Sequence, residues 1–574
     1  MPGFRRWGKS KFQKNPESSF KLLAAILVIT LYLIIKEFSN PTVRLRKAPE
    51  NGAPIQNDVW NGTGGVDTDK AEKVRDAMKH TFWNYHAHAW GYDDILPVSG
   101  AGSNSRNGWG AFIVDASTTL ALMGLWEELN LCVAHIVSIN FTQAHDLVDP
   151  FETTIRYLGG LVSLIDLYDA GVIPDKVIDS TTRAKILNRA VTLANALGPA
   201  YDTPTGMPWP RVNFNTSQGM GDPPSVYEEN PEKPRYRNPV IGPARTGSSI
   251  LETRTLTRLT GDSIYAANST RAWAPLVWSK WVSPWDGMVD APIDVVTGQP
   301  VGRQRHWDGG HDSYYEYLVK MTLLAPAADP YLAEYKQRFL DSAYSLREHL
   351  ASRSASSPGH TMQHLFIGRQ DTQWFLNRQG HLACFAPGTI LLGSKFYDQP
   401  QLHTFALALL EGCHHTYTST PSKIGPENWS WIPKFGYDDP VYDPQTDRQK
   451  QEWRAMGFWA VDEKYKGRPE YVESLFYAWR ITGQQRYREW AWEAFSAMDK
   501  HCKAPYGYAQ LADVFRPTSG EWPGDGEGRW IDMQESFWAA ETLKYFWLTF
   551  ADTSVASLDR WVFSTEGHPF RMIR

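Results

Sequence analysis

From Asp69 to the C-terminus, apolar residues recur every three to four positions, the spacing of one face of an α-helix. The pattern predicts amphipathic helices over Ala71–Trp90, Ala116–Leu131, Phe151–Ala170, Arg183–Leu197 and Tyr331–Leu350. Further helices are expected over Ser248–Thr260, Ser313–Leu323, Leu402–Tyr417, Val472–Thr482, Tyr487–His501 and Glu535–Ala551. Long polar segments rich in Pro and Gly, Thr203–Val240 and Ser279–Gly310, separate some of them, and strand-like alternation is scarce. One internal echo is informative: Arg258-Leu259-Thr260-Gly261 leads to Tyr265, and Arg480-Ile481-Thr482-Gly483 leads to Tyr487. In each, a helix stops at a glycine free to take the left-handed conformation and another helix follows at once. Helices joined so tightly form antiparallel hairpins. Repeated hairpins must bury their apolar faces on one another, as an open solenoid or a closed α/α barrel. No strict short period is visible, so the expected fold class is all-α and closed.

The N-terminus changes the picture. Arg5, Arg6, Lys9, Lys11, Lys14 and Lys21 precede the uncharged run Leu22 to Ile35. A helix over Phe20–Ile35 spans roughly 24 Å at about 1.5 Å per residue, short against a hydrocarbon core of about 30 Å. No small-residue cleavage site follows, so the run reads as an uncleaved signal anchor suited to a thin early-secretory bilayer. Positive charge on the N-terminal side places residues 1–19 in the cytosol, the anchor over 20–38, a luminal stalk over 39–68 and the main helical domain over 69–574. Five Asn-x-Ser/Thr sequons, at Asn61, Asn140, Asn215, Asn268 and Asn428, fit a luminal domain. The expected protein is a single-pass type II membrane protein of the endoplasmic reticulum or Golgi. A net charge of −5 leaves no basic footprint for nucleic acid. The cysteines are Cys132, Cys384, Cys413 and Cys502; without a CxxC pair a zinc cluster has no support, and one disulfide is possible in an oxidising lumen.

Several helices begin with an acid. Asp149-Pro150-Phe151-Glu152 opens one, Leu251-Glu252 sits in a second, and Asp312-Ser313-Tyr314-Tyr315-Glu316 opens a third. Glu470 and Glu473, after Arg468-Pro469, start a fourth, and Gln534-Glu535-Ser536-Phe537-Trp538 a fifth. Acids in a first turn favour the helix dipole and often do nothing more. In an α/α barrel, however, the inner helices run the same way and their N-termini converge on one end. A ring of carboxylates flanked by aromatics there suits glycoside hydrolysis, one acid protonating the leaving oxygen and one base activating water.

These residues, taken as ordered blocks, resemble the class I α-1,2-mannosidases, family 47 of the glycoside hydrolases. The blocks are Trp90-Gly91-Tyr92-Asp93, Phe151-Glu152 through Gly160, Asp312 through Leu318, Gly425-Pro426-Glu427, Arg468-Pro469-Glu470 through Ser474, Glu541 through Tyr545, and Ser564-Thr565-Glu566-Gly567-His568-Pro569. The resemblance implies an (αα)7 barrel closed by a C-terminal β-hairpin plug, a Ca²⁺ cofactor, and inversion at terminal α-1,2-linked mannose of high-mannose N-glycans by a monomeric enzyme. It implies Glu152 as general acid, acting through a water, and Glu470 as base with Asp312 competing for that role. Asp93, Arg156, Glu252, Glu427, Arg468, Glu473 and Glu535 would line the sugar subsite, Thr565 would ligate calcium, and Cys384 would pair with Cys413. Cys132 and Cys502 would remain free core thiols.

The chain departs from the family pattern at Thr118 and Arg245, where members usually carry Asp and Glu, and at Gly310, where endoplasmic-reticulum members carry Arg and Golgi members a smaller apolar residue. These positions bear on substrate range and remove no proposed catalytic carboxylate. Two rival readings follow from other classes. A mannose-binding lectin of the same fold would bind glycans in glycoprotein quality control without efficient hydrolysis. A scaffold of stacked helical hairpins would present an open concave face without a carboxylate-lined pit.

Overall fold

A computed structural model describes residues 54–57, 65–230, 234–279, 283–326, 328–434, 443–516 and 529–572. The chain divides into Met1–Gly52 and Ala53–Arg574, and the described residues belong to the second unit. The expected tail and anchor, and the sequon at Asn61, lie outside the described residues. Among the described residues no helix is long and apolar enough to cross a membrane.

Fifteen helices carry the architecture: α1 Thr68–His88, α2 Ala111–Met123, α3 Trp126–Ile136, α4 Pro150–Thr153, α5 Gly159–Asp169, α6 Ser180–Leu197, α7 Ile250–Thr260, α8 Ile264–Val277, α9 Asp312–Leu324, α10 Leu332–Ser345, α11 Ala386–Phe396, α12 Pro400–Thr418, α13 Glu470–Thr482, α14 Arg486–His501 and α15 Leu543–Phe550. Two populations are evident. Every residue of α2 and α15 is buried, as are Ser313–Leu324 of α9 and Glu470–Ile481 of α13. Helices buried all round belong inside. The amphipathic α3, α6, α8, α10, α12 and α14 pack as hairpin partners on α2, α5, α7, α9, α11 and α13, and α1, from the other end of the chain, packs on α15. The inner helices touch in the cycle α2, α5, α7, α9, α11, α13, α15 and back to α2, so the ring is closed. That geometry rules out the open scaffold. Large side chains fill the seams; Leu475 and Phe476 of α13 are wholly buried, and each contributes about 2 kcal/mol by leaving water.

The chain ends its helices where the echo predicts. Gly261 and Gly483 adopt φ +79° and +70° and close α7 and α13, and α8 and α14 follow at once. The single helix expected over Phe151–Ala170 is instead three pieces: α4, a π-helical turn Thr154–Leu158, and α5. A second π-turn, Trp538–Thr542, precedes α15. Such widened turns recur at functional sites because they re-aim side chains; these two carry Arg156 and Glu541.

The polar segments hold more strand than the pattern suggests. Among the strands are β1 Val240–Ile241, β2 Ala291–Asp294, β3 Pro300–Arg305, β4 Ala351–Arg353, β5 Leu365–Ile367, β6 Arg369–Asp371, β7 Trp374–Leu376, β8 Trp561–Phe563 and β9 Pro569–Arg571. A five-stranded antiparallel sheet runs β7-β6-β3-β2-β1. β4 pairs with β5, and β8 with β9. The β8–β9 hairpin is buried against α5 and α9, with Ser163 Oγ donating to Pro569 O at 2.7 Å and the Phe563 ring beside Phe476 and Tyr545.

The stalk boundary needs correction. Ile55–Asn57 fall within the stretch read as stalk, yet Ile55 is buried in the core. Gln56 accepts from buried Arg480 at 3.0 Å, and Asn57 N donates to Arg480 O at 2.8 Å. Polar composition suggested a linker; specific partners on α13 make it part of the body.

Candidate active site

A cavity of about 460 Å³ opens at the N-terminal ends of α4, α9 and α13. Glu152, Arg156, Asp312, Arg468, Glu470, Glu473 and Thr565 line it, joined by Glu316, Glu541 and Glu566. A second cavity of about 470 Å³ is lined by Trp109, His135, Asn140 and Asn215 and carries no carboxylate among its described lining residues, and a third, of about 230 Å³, holds Asp286 and Asp290; the ring of carboxylates lies in the first.

Each carboxylate sits in its own electrostatic setting. Asp149 caps α4, accepting from Phe151 N at 3.0 Å, and Pro150 fixes the first turn. Glu152 thereby faces Arg156 one turn on, with Oε2 2.9 Å from Arg156 Nε and 3.5 Å from Arg106 Nε. Burial works against the Glu152 charge, but Arg156, Arg106 and Arg245 outweigh it and hold the carboxyl below its usual range. The side chain is 34% exposed to the cavity, which softens the burial penalty further.

Asp312 is the opposite case. Burial, then the neighbouring carboxylates of Asp308, Glu316 and Glu470, push it up to about 7, against hydrogen bonds from Ser313 N at 2.8 Å and Ser313 Oγ at 3.4 Å. Glu470 is oriented by His381, whose Nδ1 is 2.8 Å from Oε2, and His381 is in turn held by Tyr417 OH at 2.7 Å from Nε2. The Cys384–Cys413 disulfide ties the His381–Phe385 turn to α12, and Cys132 and Cys502 are free and buried, as expected.

Four residues expected in the sugar subsite are not among those lining the cavity. Asp93 is wholly buried and spends its oxygens on Arg106 N, Gly108 N, Gly110 N, Ala111 N and Tyr157 OH. It fixes the loop that carries Arg106. Glu427 holds Arg468 in a bidentate pair at 2.7–2.9 Å. Glu535 pairs with Arg106 at 3.2 Å, three residues before the π-turn rather than in a first helical turn. Glu252 lies buried behind Thr565: Tyr317 OH donates to Glu252 Oε1 at 2.7 Å and accepts from Thr565 N at 3.1 Å. Burial pushes Glu252 up to about 8. Glu427 and Glu252 thus support the cavity residues Arg468 and Thr565, while Asp93 and Glu535 hold Arg106, which in turn reaches Glu152.

Sequence reasoning missed Arg106, His381, Glu541, Glu566 and Asp115. Arg156 bridges several of them, pairing with Glu152, Asp115 and Glu566. Burial, with crowding by like charges, raises Glu473, Glu541 and Glu566 well above the usual carboxylate range. Of the departures, Thr118 lies beneath the cavity, 3.0 Å from His568 Nδ1 and accepting from Lys544 Nζ at 2.9 Å. Arg245 binds Asp149 at 2.7 Å on the rim. Gly310 lines the cavity with φ +98°.

The donors around Thr565 suit a hard cation. Carboxylates, a hydroxyl and a backbone carbonyl are all oxygen ligands, the set that Ca²⁺ takes in six- to eightfold coordination. Glu252 Oε2, buried behind Thr565, has no hydrogen-bond partner among the described residues. The residues present therefore fit such an ion.

The sequence model of glycosyl hydrolase family 47 matches residues 77–572. A probable mannosyl-oligosaccharide alpha-1,2-mannosidase 1B of Aspergillus clavatus is 37% identical over 515 residues, covering 88% of this chain and 93% of the relative. A mannosyl-oligosaccharide alpha-1,2-mannosidase of Penicillium citrinum is 34% identical over 512 residues, covering 88% and 92%. The solved structure of an alpha-1,2-mannosidase from Trichoderma reesei superimposes with a TM-score of 0.79 at 32% identity, over 88% of this chain and all of that one. With a closed helical ring, a carboxylate-lined cavity at one end and these relatives over nearly its whole body, the chain belongs to glycosyl hydrolase family 47.

Proposed function

We propose that the protein is an inverting, calcium-dependent exo-α-1,2-mannosidase that trims terminal mannose from high-mannose N-glycans on glycoproteins of the early secretory pathway, anchored by its N-terminal segment. The observation that carries this reading is the single cavity shared by Glu152, Asp312, Glu470 and Thr565, four residues that are far apart in sequence. The β8–β9 hairpin then serves as the plug that closes the barrel and presents Thr565.

Within that reading the electrostatics redistribute the roles. A general acid must hold a proton at the working pH. Glu152, flanked by Arg156 and Arg106, favours its charged form. Asp312, pushed up to about 7, holds a proton on about half of the molecules near neutral pH and is the better donor to the leaving oxygen. Glu470, aimed by His381 and Tyr417, is the base that takes the proton of the attacking water. Inverting chemistry needs space between acid and base for that water. Arg468, fixed by Glu427, and Arg156 place the sugar hydroxyls. Thr565, with water and the surrounding carboxylates, would hold Ca²⁺, which when bound supplies a Lewis-acidic anchor for sugar hydroxyls.

The test is glycan profiling and anomer-resolved NMR on wild type, Asp312→Asn, Glu470→Gln and Glu152→Gln. Losses of at least about 10²-fold are expected for the true acid and base, with β-mannose as the first product. Glycan binding with no mannose release by wild type would establish the lectin instead.

A further inference from the structure

Away from the cavity, three imidazoles meet where the segment joining β4 to β5 packs on the end of α12. His360 and His364 stand in that segment and His415 near the helix C-terminus. One ring nitrogen of each lies within 4.8 Å of those of the other two. His360 Nε2 and His364 Nε2 are 3.0 Å apart. The His364 and His415 rings stack at 3.8 Å, and those of His360 and His415 at 4.4 Å.

The polar partners of these rings are one another, Met456 O and Ser419 Oγ, with no carboxylate among the described residues. A histidine cluster without counter-charge stays neutral; burial and mutual repulsion push His364 down to about 3 and His415 to about 4. Neutral imidazole is the form that ligates borderline metals. Met456 O, 2.7 Å from His415 Nε2, can only accept. Nε2 therefore carries the hydrogen and Nδ1 the lone pair, and a backbone carbonyl on the far nitrogen is how ligating histidines are held. Ser419 Oγ, 3.0 Å from Nδ1, is the group an ion would displace.

One of the three spacings is close to what zinc requires. Tetrahedral bonds of about 2.05 Å place two ligand nitrogens roughly 3.3 Å apart, a few tenths of an ångström beyond the His360–His364 separation. The His364 and His415 planes differ by only 2°, so joint ligation requires one ring to rotate about its Cβ–Cγ bond. His360 and His364 are partly open to solvent, leaving room for a water as fourth ligand.

We propose that His360, His364 and His415 form a Zn²⁺ site, chemically separate from the all-oxygen cavity, that pins the β4–β5 segment to the end of α12. The test is titration of the full chain, kept in excess Ca²⁺, with ZnCl₂ by calorimetry, and with Co²⁺ followed by its visible ligand-field bands. Wild type is compared with His360→Gln and His364→Gln, two changes in a partly exposed segment outside the cavity, with circular dichroism confirming the fold of each. One Zn²⁺ per chain, weakened at least tenfold in both variants together with loss of the Co²⁺ bands, is the expected result. No uptake by wild type, or uptake of equal affinity in both variants, would overturn the assignment.

Discussion

Replacing Asp312 with Asn separates stability from catalysis. Burial and the neighbouring carboxylates push Asp312 up to about 7 from an ordinary value of 3.8. The folded state therefore binds the proton more tightly than the unfolded chain does. Ionising Asp312 costs stability progressively as pH rises from about 4 to about 7, and the cost is constant above that. The shift corresponds to about 4 kcal/mol at 1.36 kcal/mol per unit. Cavity solvent screens part of it, so about 2 kcal/mol is the working figure. Asparagine keeps the acceptor for Ser313 N and carries no charge. Urea unfolding of the chelator-treated protein should show Asp312→Asn more stable than wild type by about 2 kcal/mol at pH 8, narrowing to about 1 kcal/mol near pH 5.5. Activity should fall at least about 10²-fold. In wild type, kcat/KM should decline above about pH 7, about tenfold per unit, as the acid loses its proton. A variant less stable than wild type at pH 8, or a stability gap that ignores pH, would refute the reasoning.

Other outcomes follow from the same contacts. His381→Ala frees Glu470 from its orienting ring and should lower kcat roughly 10- to 100-fold with KM little changed in steady-state assays. Cys413→Ser opens a link across a sequence separation of 29 and should cost about 3 kcal/mol in non-reducing urea titrations; a wild type indifferent to reductant would contradict this. Gln56→Ala strips a hydrogen bond from the buried Arg480 guanidinium and should lower unfolding stability by about 1.5–3 kcal/mol. Chelation should abolish mannose release, Ca²⁺ should restore it, and Thr565→Ala should raise the Ca²⁺ concentration needed.

The helical ring was legible because periodicity and glycine stops are local signals, and both Gly261 and Gly483 closed helices where the echo placed them. The five-stranded sheet was not, since strands of two to six residues with mixed exposure leave too little alternation to detect. Carboxylates at helix starts pointed to Glu152, Asp312, Glu470 and Glu473, which the fold brings to one cavity. The same reasoning failed for Glu535 and Glu252, whose partners Arg106 and Tyr317 lie hundreds or scores of residues away. Spacing along the chain carries no record of such pairs. Arg106 and His381 stand outside any periodic face, in a polar loop and a short turn, so their importance emerges only when Glu152 and Glu470 are seen beside them.

Gly310 has a consequence for how substrate range can change. A Cβ placed there would meet no atom within 4 Å, so the wall has space for a side chain that would narrow the pit. Yet φ of +98° is backbone that L-residues resist, at a cost of order 1–3 kcal/mol. Pocket width and loop shape are thus coupled at this point: filling the gap demands that the β3–α9 connection be rebuilt. A side chain here therefore brings either backbone strain or a reshaped β3–α9 connection, so the width of the pit and the course of that loop change together.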